Sequence, residues 1–191
     1  MATTKTQRVG IWIIAIVMLV STLAMFAGMI LANQNQSQES QDQSDMQKQL
    51  EEYQKQLEEQ AKANAAASEP LDGYSASTFD ANSVNKLQVE ELKPGSGSAA
   101  TADSTVTVNY FGWTPNGKIF DSSKKNGKVE PIEVPLNKVI KGWTQGLTGV
   151  QEGAVVKLTI PADLAYGEQG SPPNIQPNEP LMFIVEMKKV Q

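Results

Sequence analysis

The sequence contains no cysteine and no histidine among its 191 residues. The absence of cysteine excludes disulfide bonds and thiol nucleophiles, and the absence of histidine excludes Ser-His-Asp and Cys-His catalysis. An ordinary zinc site is excluded for the same reason. Any chemistry must therefore use carboxylates, hydroxyls, lysine, aromatic rings or the shape of a pocket, and we expect no cofactor.

The sequence also has fewer basic than acidic side chains. The chain has 16 basic and 21 acidic side chains, which give a formal net charge of −5. The basic residues do not cluster into a patch, and a basic patch is what recognition of a phosphate backbone requires. We therefore do not expect a nucleic acid as the partner.

The longest apolar run lies near the N-terminus, at residues 10–32, and contains no charged side chain. As a helix rising about 1.5 Å per residue it would span roughly 35 Å, enough for a bilayer core of about 30 Å. A cleaved signal peptide is the alternative, but its apolar stretch is usually about 7–15 residues long and ends at an A-x-A-like site. The run therefore predicts a transmembrane helix.

The charges on either side of this run indicate its orientation. Lys5 and Arg8 precede the run, whereas the first charge after it is Glu39. Positively charged flanks remain in the cytoplasm, so residues 1–9 should be cytoplasmic and everything after Asn33 should lie outside. The sequence thus predicts a single-pass membrane protein whose C-terminal part is extracytoplasmic.

Residues 33–69 are rich in Gln, Glu, Ser and Ala, a composition that cannot bury enough apolar surface to fold alone. The hexapeptide QKQLEE occurs at 47–52 and again at 54–59. The larger side chains alternate by four and three residues, as in a coiled-coil seam: Met46, Leu50, Tyr53 and Leu57. The seam lasts only about two heptads. We interpret the region as a solvated helical or disordered stalk, with a short dimerising coiled coil as the alternative.

Residues 85–191 follow a turn-rich lead-in at 70–84 and consist of short strand-like segments separated by turns. These segments are 86–92, 105–113, 118–123, 131–136, 154–161 and 180–190. A short helix is predicted over 138–147, with Asn137 as its N-cap. The pattern indicates a small α+β domain of about five antiparallel strands and one helix, which would leave one side of the sheet exposed.

Seven of the twelve aromatic residues lie between positions 110 and 183. Core packing alone could account for this concentration. The order and spacing of the motifs that contain these residues are therefore needed to distinguish a functional site from a core. The relevant stretches are YFGW-x3-GK-x-FDSS at 110–123, VIKGW-x2-GL at 139–147, KLTIPADLAYG at 157–167 and PLMFIVEM at 180–187. In this order they closely resemble the FKBP-type peptidyl-prolyl cis/trans isomerases, over about residues 85–191.

The resemblance implies a five-stranded antiparallel sheet wrapped around one short helix, with the substrate pocket between them. The implied catalytic residues are Tyr110, Phe120, Asp121, Trp143, Tyr166 and Phe183. The implied substrate-binding residues are Ile132, Val139, Ile140 and Ile175. Trp143 would form the floor of the pocket, while the phenol of Tyr166 and the backbone N–H of Ile140 would donate hydrogen bonds to ligand carbonyls.

The sequence departs from the family pattern in three places. Ile132 stands where an aromatic wall residue is common. The segment 168–179, which we call the flap, has Ser171 and Asn174 where histidine and an aliphatic residue are frequent. Gln176 replaces one of two adjacent prolines. We expect these changes to alter affinity and substrate preference while the floor of the pocket is kept.

The resemblance also implies a function. The chain would be a peptidyl-prolyl isomerase that assists the folding of exported or envelope proteins. Its partners would be proline-containing polypeptides and macrolides of the rapamycin and tacrolimus type. The alternative is a low-turnover chaperone or proline-segment binding module with the same pocket.

Overall fold

The computed structural model describes residues 39–191. The predicted membrane span at 10–32 and its cytoplasmic flank lie outside these residues. Among the helices from residue 39 onward, none is both long enough and apolar enough to cross a bilayer.

Helix α1 spans Glu39–Ala67 and covers most of the region predicted as a stalk. The seam residues Met46, Leu50 and Tyr53 are exposed on it. The chain divides into two units between Gln60 and Ala61, and the second unit, Ala61–Gln191, is compact. The second unit therefore begins inside the predicted stalk and includes the last turns of α1.

The second unit contains eight strands and one further α-helix. The strands are β1 (Gln88–Lys93), β2 (Thr105–Trp113), β3 (Ile119–Ser122), β4 (Lys124–Lys125), β5 (Lys128–Val129), β6 (Ile132–Pro135), β7 (Val155–Ile160) and β8 (Leu181–Val190). Helix α2 spans Lys141–Leu147, between β6 and β7. Short 3-10 helices lie at Ala81–Ser83, Leu136–Lys138, Ala162–Leu164 and Gly167–Gln169.

Six strands form one antiparallel sheet, in the order β1-β7-β8-β2-β3, with β6 also paired to β2. Strand β6 pairs with residues 105–108 of β2, and β3 pairs with residues 111–113. The two short strands thus share one side of β2, because the chain between them leaves the sheet and forms the hairpin β4–β5. The antiparallel α+β fold is confirmed, but the sheet has six strands and the predicted count of five is wrong.

Side chains of β2 alternate between the two faces of this sheet. Tyr110 belongs to the larger hydrophobic core, which also includes side chains of α2. Phe111 and Trp113 belong to a second cluster, packed against residues from the segment 71–79. The indole N–H of Trp113 donates to the carbonyl of Ser77 at 2.9 Å. The lead-in therefore covers the part of this face around Phe111 and Trp113, while strand β1 stays exposed, so the prediction of an exposed sheet face is correct only in part.

Helix α2 begins at Lys141, later than predicted, and its N-cap is Ile140 instead of Asn137. Asn137 lies in a separate 3-10 turn that precedes the helix. That turn is fixed because the side chain of Leu136 is fully buried and its carbonyl accepts a hydrogen bond from the Thr144 hydroxyl at 2.5 Å. Burial of this leucine thus overrides the capping preference of asparagine.

Two glycines of α2 allow the helix to approach β7 closely. A Cβ atom at Gly142 would lie 2.4 Å from Cγ2 of Ile160, a side chain that is fully buried. A Cβ atom at Gly146 would meet its nearest neighbour, Cδ2 of Leu158, at 3.0 Å. The helix is therefore packed more tightly at Gly142 than at Gly146.

We predict that Gly142→Ala destabilises the fold by about 1–3 kcal/mol, because overpacking outweighs a gain of about 1 kcal/mol in helix propensity. Gly146→Ala is the matched control and should lose less stability, since its neighbour needs to move only slightly. Urea unfolding of both full-length variants, followed by near-ultraviolet circular dichroism, gives the comparison. Equal losses in the two variants would contradict this account of the packing.

Candidate active site

Trp143 lies at the centre of a group of aromatic rings on the sheet face that carries α2. Its ring centroid is 5.3 Å from that of Tyr110 and 5.4 Å from that of Phe183, with interplanar angles of 86° and 82°. Phe120 meets Phe183 in the same edge-to-face manner at 5.5 Å. Aromatic pairs prefer this geometry. The predicted floor and walls of the pocket therefore form one continuous aromatic cluster.

Gly112 makes this arrangement of rings possible. It is paired with Phe183 across β2 and β8. A Cβ atom at Gly112 would lie 2.5 Å from Cε1 of Phe183 and 2.6 Å from Cζ of Phe120. Gly112 was not among the predicted site residues, although a glycine inside a strand pattern is a known signal of close approach to the backbone.

Asp121 follows Phe120 on β3 and is bonded to the aromatic cluster through Tyr110. Its carboxylate accepts hydrogen bonds from the Tyr110 hydroxyl and from the backbone N–H of Ser122, the latter at 2.9 Å. The Nζ atom of Lys125, on β4, lies 3.2 Å from the same carboxylate. Lys125 was not among the predicted site residues, because the hairpin that carries it was not predicted.

The two tyrosines of the site keep their protons far above neutral pH. Burial raises the pKa of Tyr166 to about 12, and the negative charge of Asp121 acts in the same direction. Burial also raises the pKa of Tyr110 well above its ordinary value, with further contributions from the charge of Asp121 and the hydrogen bond to it. Both phenols can therefore act as hydrogen-bond donors throughout the physiological range.

The other predicted residues surround the same cluster. Ile175 is buried, with 3% of its surface exposed. The remaining ones are partly buried and pack against this core: Ile132, Val139, Ile140 and Tyr166. The structure thus brings all the predicted aromatic and aliphatic site residues into one core and joins Asp121 to it. The roles of these residues toward a substrate stay predictions.

The comparisons with known proteins agree with this geometry. Residues 96–188 match the family described as FKBP-type peptidyl-prolyl cis-trans isomerase. The chain is 40% identical over 107 residues to the FK506-binding protein of Neisseria meningitidis serogroup A. The aligned region covers 56% of this chain and 98% of that protein. This chain belongs to the FKBP-type peptidyl-prolyl cis-trans isomerase family.

Larger FKBP-type proteins are similar over the same region. The peptidyl-prolyl cis-trans isomerase Mip of Coxiella burnetii is 46% identical over 108 residues, or 56% of this chain and 46% of Mip. The chain spans less than half the length of Mip and of two further curated relatives. The crystal structure of FkpA from Escherichia coli superposes with a TM-score of 0.52 and 32% identity, covering 91% of this chain and 71% of FkpA.

The raised tyrosine pKa values predict a loss of stability in alkaline solution. A phenol whose pKa is higher in the folded state stabilises the fold fully below its unfolded pKa, and this contribution is lost as the pH rises through the folded pKa. For Tyr166 the window runs from pH 10 to about 12. The free energy of unfolding should fall there by up to about 1.4 kcal/mol per pH unit on account of Tyr166.

Tyr166→Phe should make this fall shallower, because the variant has no proton to lose at that position. Urea unfolding of wild type and variant at several values between pH 9 and about pH 12 measures the difference. Identical slopes for the two proteins would contradict the assignment of the raised pKa.

Proposed function

We propose that this chain is a peptidyl-prolyl cis/trans isomerase that holds an X-Pro segment against Trp143 and assists the folding of exported or envelope proteins. The observation that carries the proposal is the edge-to-face packing of Tyr110 and Phe183 on Trp143. In a member of this family, these rings provide an apolar floor and walls for a proline ring.

Such a pocket can catalyse the rotation of a peptide bond without a nucleophile. Rotation breaks amide resonance, and the resulting barrier of about 18–20 kcal/mol makes X-Pro isomerisation slow. The twisted amide has less charge separation than the planar one, so an apolar surrounding favours it relative to water. Because interactions that are stronger in the transition state raise the rate, an apolar pocket is itself a catalyst.

The polar groups of the site fit a role in orientation. The phenol of Tyr166, with its raised pKa, can donate to a carbonyl of the bound peptide. The Tyr110 hydroxyl donates to Asp121, which fixes the ring of Tyr110 beside Trp143. Groups that hold the flanking carbonyls keep the proline in the geometry from which rotation proceeds.

We also propose that the pocket binds macrolides of the rapamycin and tacrolimus type. Two relatives from Neisseria meningitidis bear the name FK506-binding protein, and this chain covers 98% and 95% of their lengths. Ile132 is partly buried against the aromatic core. Because its side chain offers less flat area than an aromatic ring, the affinity should be lower than that of relatives with an aromatic residue there.

We propose, from the sequence alone, that residues 10–32 anchor the chain in the cell membrane with residues 33–191 outside the cytoplasm. Lys5 and Arg8 before the run support this orientation. Protease added to intact spheroplasts should then digest the C-terminal domain. Protection until the cells are lysed would reject the orientation.

The enzymatic proposal is tested by two matched tryptophan substitutions in the full-length protein, purified in mild detergent. Trp143→Leu removes the flat floor against which the proline ring would pack, so kcat/KM on an X-Pro tetrapeptide should fall roughly tenfold or more, a loss of about 1.4 kcal/mol or more of transition-state stabilisation. Trp113→Leu removes a tryptophan from the opposite face of the sheet and should leave kcat/KM near wild type. Tyr166→Phe should cost about two- to tenfold, since it loses one hydrogen bond.

Circular dichroism of each variant confirms that it is folded before the rates are compared. Equal losses in Trp143→Leu and Trp113→Leu would contradict a site at Trp143. A folded wild-type chain that binds proline peptides without accelerating isomerisation would instead support the low-turnover binding module.

A further inference from the structure

The flap lies beside the aromatic cluster and contributes Ile175 to the core. Two backbone hydrogen bonds between Ser171 and Ile175 close the tip of the flap. The N–H of Ser171 donates to the carbonyl of Ile175 at 2.9 Å, and the N–H of Ile175 donates to the carbonyl of Ser171 at 3.0 Å. The position of Ile175 in the pocket therefore depends on where this closed tip is held.

Asn174 immediately precedes Ile175 and holds the tip from outside the pocket. Its side-chain amide nitrogen donates to the carbonyl of Ala61 at 2.9 Å, in the last turns of α1. Its amide oxygen accepts a hydrogen bond from Nζ of Lys118 at 3.3 Å. An aliphatic residue at this position could make neither bond.

The segment that receives this bond, residues 61–69, is itself fixed to the other side of the pocket. The backbone N–H of Glu69 donates to the carbonyl of Lys124 at 2.9 Å, and the Glu69 carbonyl accepts from the hydroxyl of Ser122 at 2.7 Å. The Glu69 carboxylate accepts from the N–H of Gly127 at 3.0 Å. These bonds connect the segment to β3 and to the hairpin β4–β5.

We propose that Asn174 is a positioning residue of the isomerase site and that residues 61–69 form part of that site. A chain of bonds leads from Ser122, next to Asp121, through residues 61–69 to Asn174 and so to Ile175. The β3 side and the flap side of the pocket are thereby held at a fixed separation by contacts outside the pocket. This inference rests on the proposed function, and its test includes a measurement that does not need activity.

Three full-length variants separate the two bonds of Asn174. Asn174→Asp keeps an acceptor for Lys118 but loses the donor to the Ala61 carbonyl. Lys118→Met removes only the bond to Lys118. Gln169→Ala changes an exposed side chain in the same flap and is the matched control.

Hydrogen exchange at the amides of Ser171 and Ile175 reports directly on how firmly the flap is held. In Asn174→Asp it should accelerate two- to tenfold, the range that corresponds to one net hydrogen bond. KM for an X-Pro peptide should rise by a similar factor while kcat and Tm stay near wild type, because the floor of the pocket is intact. Lys118→Met and Gln169→Ala should leave both the exchange and KM near wild type.

Unchanged exchange in Asn174→Asp would overturn the proposal, and so would faster exchange with an unaltered KM. The proposal would also be overturned if Tm fell in Asn174→Asp and the control variant showed the same changes in exchange and KM. That result would show a general structural role for the flap. If the wild-type chain were inactive, the proposed function would fail. The exchange comparison would then still decide whether the bond to Ala61 holds the flap.

Discussion

The site depends on the packing of one indole ring, that of Trp143, between the helix that carries it and the sheet. Tyr110 and Phe183 meet this ring edge-on from neighbouring strands, and Phe120 extends the cluster through Phe183. The arrangement requires the helix and the strands to approach closely, which is possible because Gly142 faces Ile160 without a side chain. The same contacts that close the core therefore form the apolar surface that an X-Pro segment would need.

The polar residues of the site lie beside this surface and hold the ring of Tyr110 in place. Asp121 accepts from the Tyr110 hydroxyl and is paired with Lys125, which belongs to a hairpin inserted into the edge of the sheet. The hairpin is in turn bonded to Glu69, just beyond the end of α1. The Asp121 end of the site is thus connected to a segment that the sequence pattern assigns to a stalk, and the second unit begins at Ala61.

Sequence patterns were most informative where local periodicity and tertiary burial agree. The alternation in 105–113 predicted the bounds of β2, and four motifs in order identified the residues that meet around Trp143. The predicted start of α2 was wrong because burial of Leu136 fixes a separate turn before the helix. The contact between Asn174 and Ala61 joins residues 113 positions apart, and no local pattern records such a distant pair.

In the proposed mechanism, an apolar aromatic pocket accelerates bond rotation without proton transfer. General acid–base catalysis would make the rate follow the titration of an acid or a base, whereas both tyrosines of the site remain protonated through neutral pH. The most direct test is kcat/KM of the full-length protein on an X-Pro tetrapeptide from pH 6 to 8, with folding checked at each pH. Catalysis without proton transfer predicts a flat profile, whereas a bell-shaped profile or a tenfold slope in this range would show that an acid or a base takes part.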